Sequence, residues 1–237
     1  GDVYQAAATP VTAFLAFVPK ITGFIATLKI LWVAGGASWM VGNTLGELIV
    51  VVAILTMTIG NILGLLQNNV KRTLAYSSVA HTGYMLVGVA AMLNSPDMTV
   101  QNSALTGVLF YLAAYGIMNA GAFGVLMLLP ANHPKPATTA ETFEDLAGQG
   151  RNHVGLGLAM AVCCFSLTGI PLTVGFLGKF YLIKPALAAH QTGLVIWLMI
   201  NAAISAGYYL RIVGTMFLRP TPADASTEPV TFPAPIA

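Results

Sequence analysis

The sequence predicts an all-α protein: a polytopic bundle of about six membrane-spanning helices, one of them broken. Hydrophobic residues make up 57% of the chain and charged residues only 8%, whereas about 25% of an ordinary soluble domain is charged. The apolar residues also form continuous runs of the roughly 20 residues that a helix needs to cross a hydrocarbon core of about 30 Å. A transmembrane β-barrel would instead show alternating segments of about ten residues, so these runs favour helices.

The charge inventory excludes several classes of function. Ten Lys and Arg with eight Asp and Glu are too few to coat a water-soluble globule of this size, which disfavours a soluble enzyme and a disordered chain. A formal net charge of +2 is too small to attract a polyanion, so no nucleic-acid partner is expected. The expected surroundings are a lipid bilayer.

The individual helices are predicted from these runs and from the turn residues that interrupt them. Pro96 lies in the turn after the third run, Pro130 closes the fourth, and Pro220 follows the sixth. Residues 1–219 are therefore expected to be transmembrane, and 220–237, rich in Pro, Ala and Thr, to form an extramembrane loop or tail. The predicted helices cover about residues 10–33, 48–66, 74–93, 104–129, 155–187 and 193–218.

The fifth run, 155–187, is too long for a single span, and Gly169-Ile170-Pro171 lies inside it. Proline removes a backbone donor and clashes with the preceding turn, so we predict a helix broken near the middle of the membrane. Such breaks survive only where protein or a water-filled cavity surrounds them, and in transporters they often mark the ion path.

The positive charges predict an orientation. The loops 35–47 and 94–103 contain no Lys or Arg. If six helices alternate, the basic loop residues all fall on the other side, and the positive-inside rule places that side in the cytoplasm. These residues are Lys71, Arg72, Lys135, Arg151 and Arg219.

Three ionisable residues lie near the centres of predicted helices: Lys20, His81 and Lys179. A lysine at mid-membrane costs about 2.5–3.5 kcal/mol on insertion scales, so it needs an explanation. The other basic residues in the helices lie nearer the helix ends, from which they can snorkel to the interface. These are Lys29, Lys184 and Arg211.

Lys20 and Lys179 have two possible explanations that involve no function, and one that does. Snorkelling is disfavoured because each lysine is about 15 Å from either membrane face, beyond the reach of its side chain. Pairing with a carboxylate is disfavoured because no Asp or Glu lies in a predicted helix interior. Either partners come from elsewhere or the lysines line a wet cavity, where desolvation disfavours the ammonium form and allows proton exchange. We therefore predict a proton path through Lys20 and Lys179.

His81 lies on a polar stripe with Ser77 and Tyr84, which share one helical face by their spacing. One interpretation is a structural hydrogen bond between helices, worth about 0.6–2 kcal/mol. The other is a proton relay, since histidine titrates near neutral pH. The sequence leaves both open.

No motif predicts a cofactor or metal on this chain. A nucleotide-binding loop, an HExxH pair, a cysteine cluster and a haem or flavin signature are all missing. Cys163 and Cys164 are adjacent in an apolar run and are expected to be core residues. The N-terminus reads Gly-Asp-Val-Tyr without an initiator Met or a signal peptide, so we expect a piece of a longer protein.

Three segments resemble the antiporter-like subunits of respiratory complex I, and specifically the subunit N family, called subunit 2 in mitochondria. The longest, 60–84, reads GNILGLLQNNVKRTLAYSSVAHTGY. The others are 2–15, with DVY followed by TPVTAFL, and 165–181, with FSLTGIP followed by GFLGKFY. They occur in this order, and the resemblance spans residues 2 to about 217.

The resemblance implies the second of two inverted repeats, including its broken helix. It implies that Lys20 matches the lysine of the family's eighth helix, which links the repeats. Lys179 would match the lysine of the second broken helix, both on a hydrophilic axis of buried lysines. The family's glutamate and lysine on the fifth and seventh helices would lie upstream of this chain.

The function that the resemblance implies is proton translocation within NADH:quinone oxidoreductase, in the cell inner membrane. NADH, FMN, iron–sulfur clusters and quinone would be bound by partner subunits, and other membrane subunits would be the direct partners. Two alternatives remain: a subunit of a cation/proton antiporter or membrane-bound hydrogenase, and a purely structural membrane subunit.

Overall fold

The computed structural model describes residues 9–35, 43–130 and 141–221, and confirms the all-α class. Within these ranges the only β feature is an isolated bridge between Asn69 and Thr142. The predicted tail beyond 221 lies outside the described residues. The helices are α1 (Thr9–Gly35), α2 (Asn43–Leu65), α3 (Val70–Leu93), α4 (Met98–Leu128), α5 (Phe143–Leu146), α6 (Gln149–Asn152), α7 (Val154–Thr168), α8 (Val174–Ala188) and α9 (Thr192–Leu218).

Four of the described helices are long and apolar enough to cross a membrane: α1, α2, α4 and α9. The helix α3 has a similar length of 24 residues but carries more polar side chains. The helices α7 and α8 have 15 residues each, about 22 Å of helix apiece. Neither reaches across a hydrocarbon core alone.

The helices α2, α3 and α4 begin several residues earlier than the apolar runs predicted, and polar side chains cap the first turns of α3 and α4. The side chain of Asn69 accepts a hydrogen bond from the backbone N–H of Arg72 at 3.0 Å, which starts α3 at Val70. Asp97 accepts likewise from Thr99 at 2.7 Å and starts α4. As a consequence Lys71 and Arg72, which the sequence assigned to a loop, lie in the first turn of α3.

The predicted break is confirmed and lies between α7 and α8. Gly169 ends α7 with a φ of 88°, a left-handed conformation that suits glycine. The chain resumes where the side chain of Thr173 caps α8. A Cβ on Gly175 would stand 1.7 Å from the carbonyl oxygen of Ser166. Only glycine therefore allows the start of α8 to pack directly beside the last turn of α7.

The helix α3 is the centre of the bundle, and most of its residues are buried. It contacts five other helices: α1, α2, α4, α8 and α9. Against α2 the backbones come very close, since a Cβ on Gly83 would lie 2.6 Å from the backbone nitrogen of Met57. Small residues at helix interfaces allow this close packing in membrane proteins. A polar side chain on α3 therefore faces protein rather than lipid.

Candidate functional site

His81 lies in the middle of the bundle and is fully buried. Its Nδ1 is 2.8 Å from the hydroxyl of Tyr111 on α4, and its Nε2 is 3.0 Å from the hydroxyl of Tyr209 on α9. The hydroxyl of Tyr209 also hydrogen bonds to Ser77. A hydroxyl can donate or accept, so both tautomers of the imidazole can be satisfied. The histidine can therefore take a proton at one nitrogen and release one from the other.

Lys20 reaches from α1 into the bundle. Its ammonium group donates a hydrogen bond to the backbone carbonyl of Ser78 on α3. It also lies 4.6 Å from the ring centroid of Tyr115 on α4, within the range of a cation–π contact. The side chain is half-buried, and its ammonium group contacts the middle of α3 rather than the membrane surface, which argues against snorkelling.

Lys179 is 5% exposed and folds back toward the helix break. Its Nζ donates to the carbonyl oxygens of Leu167 at 3.1 Å and Thr168 at 2.6 Å, in the last turn of α7. These carbonyls have no helical donor because α7 stops there. Nζ also lies 5.0 Å from the ring centroid of Tyr84.

The packing of α8 beside α7 decides where the amine of Lys179 lies. In the sequence Lys179 is ten residues beyond Gly169, which is between two and three turns along a helix. Instead α8 begins beside α7, and its side chains lean toward its N-terminus, so the ammonium group lies at the break itself. The carbonyls that the break frees and the lysine satisfy each other.

The three predicted residues therefore belong to one continuous chain of contacts, which we call the lysine–histidine axis. From one end it consists of the Lys20 ammonium, the Tyr115 ring, His81, the Tyr84 ring and the Lys179 ammonium. The imidazole lies 4.9 Å from the Tyr115 ring and 5.3 Å from the Tyr84 ring, centroid to centroid. Each lysine is thus separated from the histidine by a single aromatic ring.

A second polar cluster extends the axis between α2 and α9. The side-chain amide of Asn61 donates to the hydroxyl of Tyr84 at 3.0 Å and to the backbone carbonyl of Asn201 at 3.0 Å. The hydroxyl of Tyr208 donates to Asn61 at 2.9 Å. Tyr84 therefore presents its ring to Lys179 and directs its hydroxyl to this cluster, although it shares a helix face with His81.

The axis holds cations without a local anion. Among the described residues, no Asp or Glu forms an ion pair with Lys20 or Lys179; their partners are backbone carbonyls and tyrosine rings. The described residues also contain no cluster of His, Cys, Asp or Glu able to hold a metal ion. Carbonyls and rings stabilise an ammonium group but provide no fixed negative charge to keep it protonated.

Sequence reasoning missed the aromatic half of the site. Four tyrosines on α4 and α9 surround the predicted residues, and two asparagines extend the network. The sequence pattern that could have identified these residues is polar groups at helical spacing within apolar runs, such as Tyr111 and Tyr115, which are four residues apart. The missed residues are Asn61, Tyr111, Tyr115, Asn201, Tyr208 and Tyr209.

The end of the bundle where α3 begins has a different character. Lys71 is 1% exposed, and its Nζ lies 2.5 Å from a carboxylate oxygen of Glu141. Arg211 donates to the backbone carbonyl of Gln67 at 3.0 Å and to the side chain of Asn68 at 3.1 Å. Its guanidinium also lies 4.1 Å from the ring of Phe143. We call this cluster the basic end.

Comparison with known proteins identifies what the chain is similar to. Residues 1–205 match the family described as NADH:quinone oxidoreductase/Mrp antiporter, TM. The chain is 42% identical over 236 residues to NADH-quinone oxidoreductase subunit N of Trichlorobacter lovleyi, covering 100% of this chain and 45% of the relative. It is 39% identical to subunit N 1 of Sorangium cellulosum, covering 97% and 44%. The chain thus spans about half the length of the curated relatives it matches.

Solved structures share the fold. A chain of respiratory complex I from Thermus thermophilus with bound aureothin superposes with a TM-score of 0.74 at 31% identity, covering 92% of this chain and 44% of that one. A chain of the Mrp complex from Dietzia sp. superposes with a TM-score of 0.65 at 28% identity, covering 77% and 32%. The apolar helices and these matches together indicate an integral membrane protein.

Proposed function

Because the chain belongs to the NADH:quinone oxidoreductase/Mrp antiporter transmembrane family, we propose that it forms part of a proton-translocating subunit of an NADH:quinone oxidoreductase. The observation that carries this proposal is the lysine–histidine axis, which connects three groups able to carry a proton within a bundle of largely apolar helices. The 39–42% identity to proteins named subunit N supports the choice of complex.

In this proposal the protons are held at the Nζ atoms of Lys20 and Lys179 and at the two ring nitrogens of His81. The Tyr111 and Tyr209 hydroxyls orient the imidazole and can receive or return its proton. Interior charges interact more strongly than charges in water. A proton arriving at one end of the axis therefore disfavours the charge at the other and promotes its release.

The redox chemistry lies elsewhere in the complex under the same proposal. NADH, FMN, iron–sulfur clusters and quinone are bound by partner subunits, and other membrane subunits are the direct partners. This chain contributes to the enzyme as a translocase. Its own residues hold and move protons, while quinone reduction provides the free energy.

We place the chain in the cell inner membrane with the basic end toward the cytoplasm. Of the five basic residues that predict the orientation, the four in the described part of the chain lie at or near the ends of α3, α7 and α9, which supports this orientation through the positive-inside rule. The test uses Asn152→Cys at the basic end and Pro96→Cys at the other, both exposed positions. An impermeant thiol reagent added from outside should label Pro96→Cys only, and the reverse pattern contradicts the orientation.

The proposed activity is tested in inverted membrane vesicles that carry the full-length subunit in its complex. Deleting the gene should abolish the proton gradient formed on NADH addition, together with inhibitor-sensitive NADH:quinone reduction. Restoring the gene should recover both. Unchanged NADH-driven pumping in the deletion strain contradicts the proposal.

A cation/proton antiporter subunit is the second candidate, favoured by the 28% identity to a chain of the Mrp complex. Sodium/proton exchange that persists without NADH and disappears on deletion would support this candidate. A purely structural subunit would lose neither activity, per assembled complex, when Lys20 or Lys179 is replaced.

A further inference from the structure

One groove on the outer surface is polar where a membrane protein is expected to be apolar. It lies between α4 and α8, at the end of the bundle opposite the basic end, and has a volume of about 460 Å³. Tyr181 and Lys184 of α8 form one wall. The other wall is a stripe on one face of α4, at helical spacing. It comprises Thr99, Asn102, Ser103 and Thr106, all exposed.

The floor of the groove is a close contact between the two helices. A Cβ on Gly107 would stand 2.5 Å from the carbonyl oxygen of Tyr181, so the backbones touch there. Pro185 has no N–H to donate to that carbonyl, which leaves the oxygen free to pack against Gly107. Above this contact the groove opens toward the start of α4.

The polar groups in the groove lack partners within the described part of the chain. There the side chains of Asn102, Ser103 and Lys184 and the hydroxyl of Tyr181 make no hydrogen bond, and Thr106 donates only to its own helix, at 2.8 Å. The surrounding surface is apolar, with Leu109 45% and Phe180 50% exposed. These donors are therefore available to a polar ligand at the edge of the apolar surface.

The residues that line the groove indicate the chemical class of its ligand. The groove offers one ammonium group with hydroxyl and amide donors, and no carboxylate lines it, a set suited to a phosphate group. Its depth is also informative. Thr106 is about 12 Å along α4 from Met98, and Lys184 is in the last turns of α8, so the groove lies at the level of the lipid headgroups.

We propose that this groove binds the phosphate of a phospholipid headgroup, with Lys184 as its counter-charge and the α4 stripe as hydrogen-bond donors. The acyl chains then lie on the apolar surface around Leu109 and Phe180. The site depends on the chain lying in a membrane and is independent of proton translocation. Its failure and the failure of the proposed function are therefore distinguishable.

The test uses the full-length subunit in its complex, in nanodiscs containing phosphatidylglycerol with a photoreactive group near the headgroup. Peptides covering 98–110 and 176–188 should be labelled by the lipid. Lys184→Gln should reduce labelling about fivefold, as expected for loss of one lysine near anionic lipid. Asn102→Leu with Ser103→Ala removes exposed donors from the other wall and should also reduce it.

Lys29→Gln is the matched control. Lys29 is exposed near the same end of the bundle, but the pocket beside it is otherwise apolar. This variant removes the same charge and should leave labelling of peptide 176–188 unchanged. Loss of labelling on adding millimolar inorganic phosphate would assign the site to free phosphate and overturn the lipid proposal. Full labelling in Lys184→Gln, or crosslinks from the groove to another polypeptide, would overturn it as well.

Discussion

The lysine–histidine axis and the basic end each bury a lysine, but they stabilise it differently. Lys71 at the basic end is 1% exposed and has the Glu141 carboxylate at 2.5 Å. Lys179 on the axis is 5% exposed and has only carbonyls and a tyrosine ring. The ion pair ties Glu141 to the first turn of α3 through opposite charges, whereas carbonyls and a ring provide no anion. The two buried lysines therefore differ in the kind of partner, and of the two it is the one without an anion that belongs to the proposed proton path.

The largest effect expected from this comparison is that of Lys179→Ala. Under the proposed function it removes a proton site at the helix break, so NADH-driven pumping should fall about tenfold or more, the loss expected for a group required in the path. The measurement is the proton gradient in inverted vesicles, normalised to assembled complex. Lys29→Ala, which removes an exposed lysine away from the axis, is the control and should pump normally. Normal pumping by Lys179→Ala would remove this lysine from the path.

Replacing Lys20 tests whether the axis is one path. Lys20→Ala should impair pumping while the complex still assembles, and Lys20→Arg should impair it too because arginine does not release its proton in this pH range. The double variant with Lys179→Ala should be little worse than either single variant, because in the proposed function both residues serve the same path. Losses that multiply in the double variant would mean that the two lysines act independently.

The ion pair at the basic end should affect stability and leave pumping per complex intact. Lys71→Met strands the Glu141 carboxylate, which is 32% exposed, so solvent screening limits the cost to about 1–2 kcal/mol. Lys71→Met with Glu141→Leu should recover most of that loss. Thermal unfolding of the detergent-solubilised complex measures both variants. A pumping defect per assembled complex in Lys71→Met would place this lysine on a proton path.

The smallest effect concerns the ring of Tyr115. Tyr115→Phe keeps the aromatic face against Lys20 and should pump within about twofold of the parent, whereas Tyr115→Leu removes the cation–π contact, worth about 1 kcal/mol, and should reduce pumping about fivefold. Pumping per assembled complex measures both. Equal damage from the two substitutions would mean that the hydroxyl, rather than the ring, is what the axis requires.

Much of the architecture follows from the sequence alone. Composition and runs of about 20 apolar residues require membrane helices, because a backbone in lipid must satisfy its own hydrogen bonds. Gly169 and Pro171 require a break for local steric reasons. The cost of ionisable groups in an apolar helix singled out Lys20, His81 and Lys179 without any knowledge of their neighbours.

The tertiary structure decided which groups meet. The overlap of α8 with α7 brings Lys179 to the carbonyls of the break, and the packing of α4 and α9 around α3 brings Tyr111 and Tyr209 to His81. The partner of Lys71 is 70 positions away at Glu141. Periodicity within one helix reports which face is polar, but the group opposite that face depends on how separate helices pack, and no local pattern in the sequence encodes it.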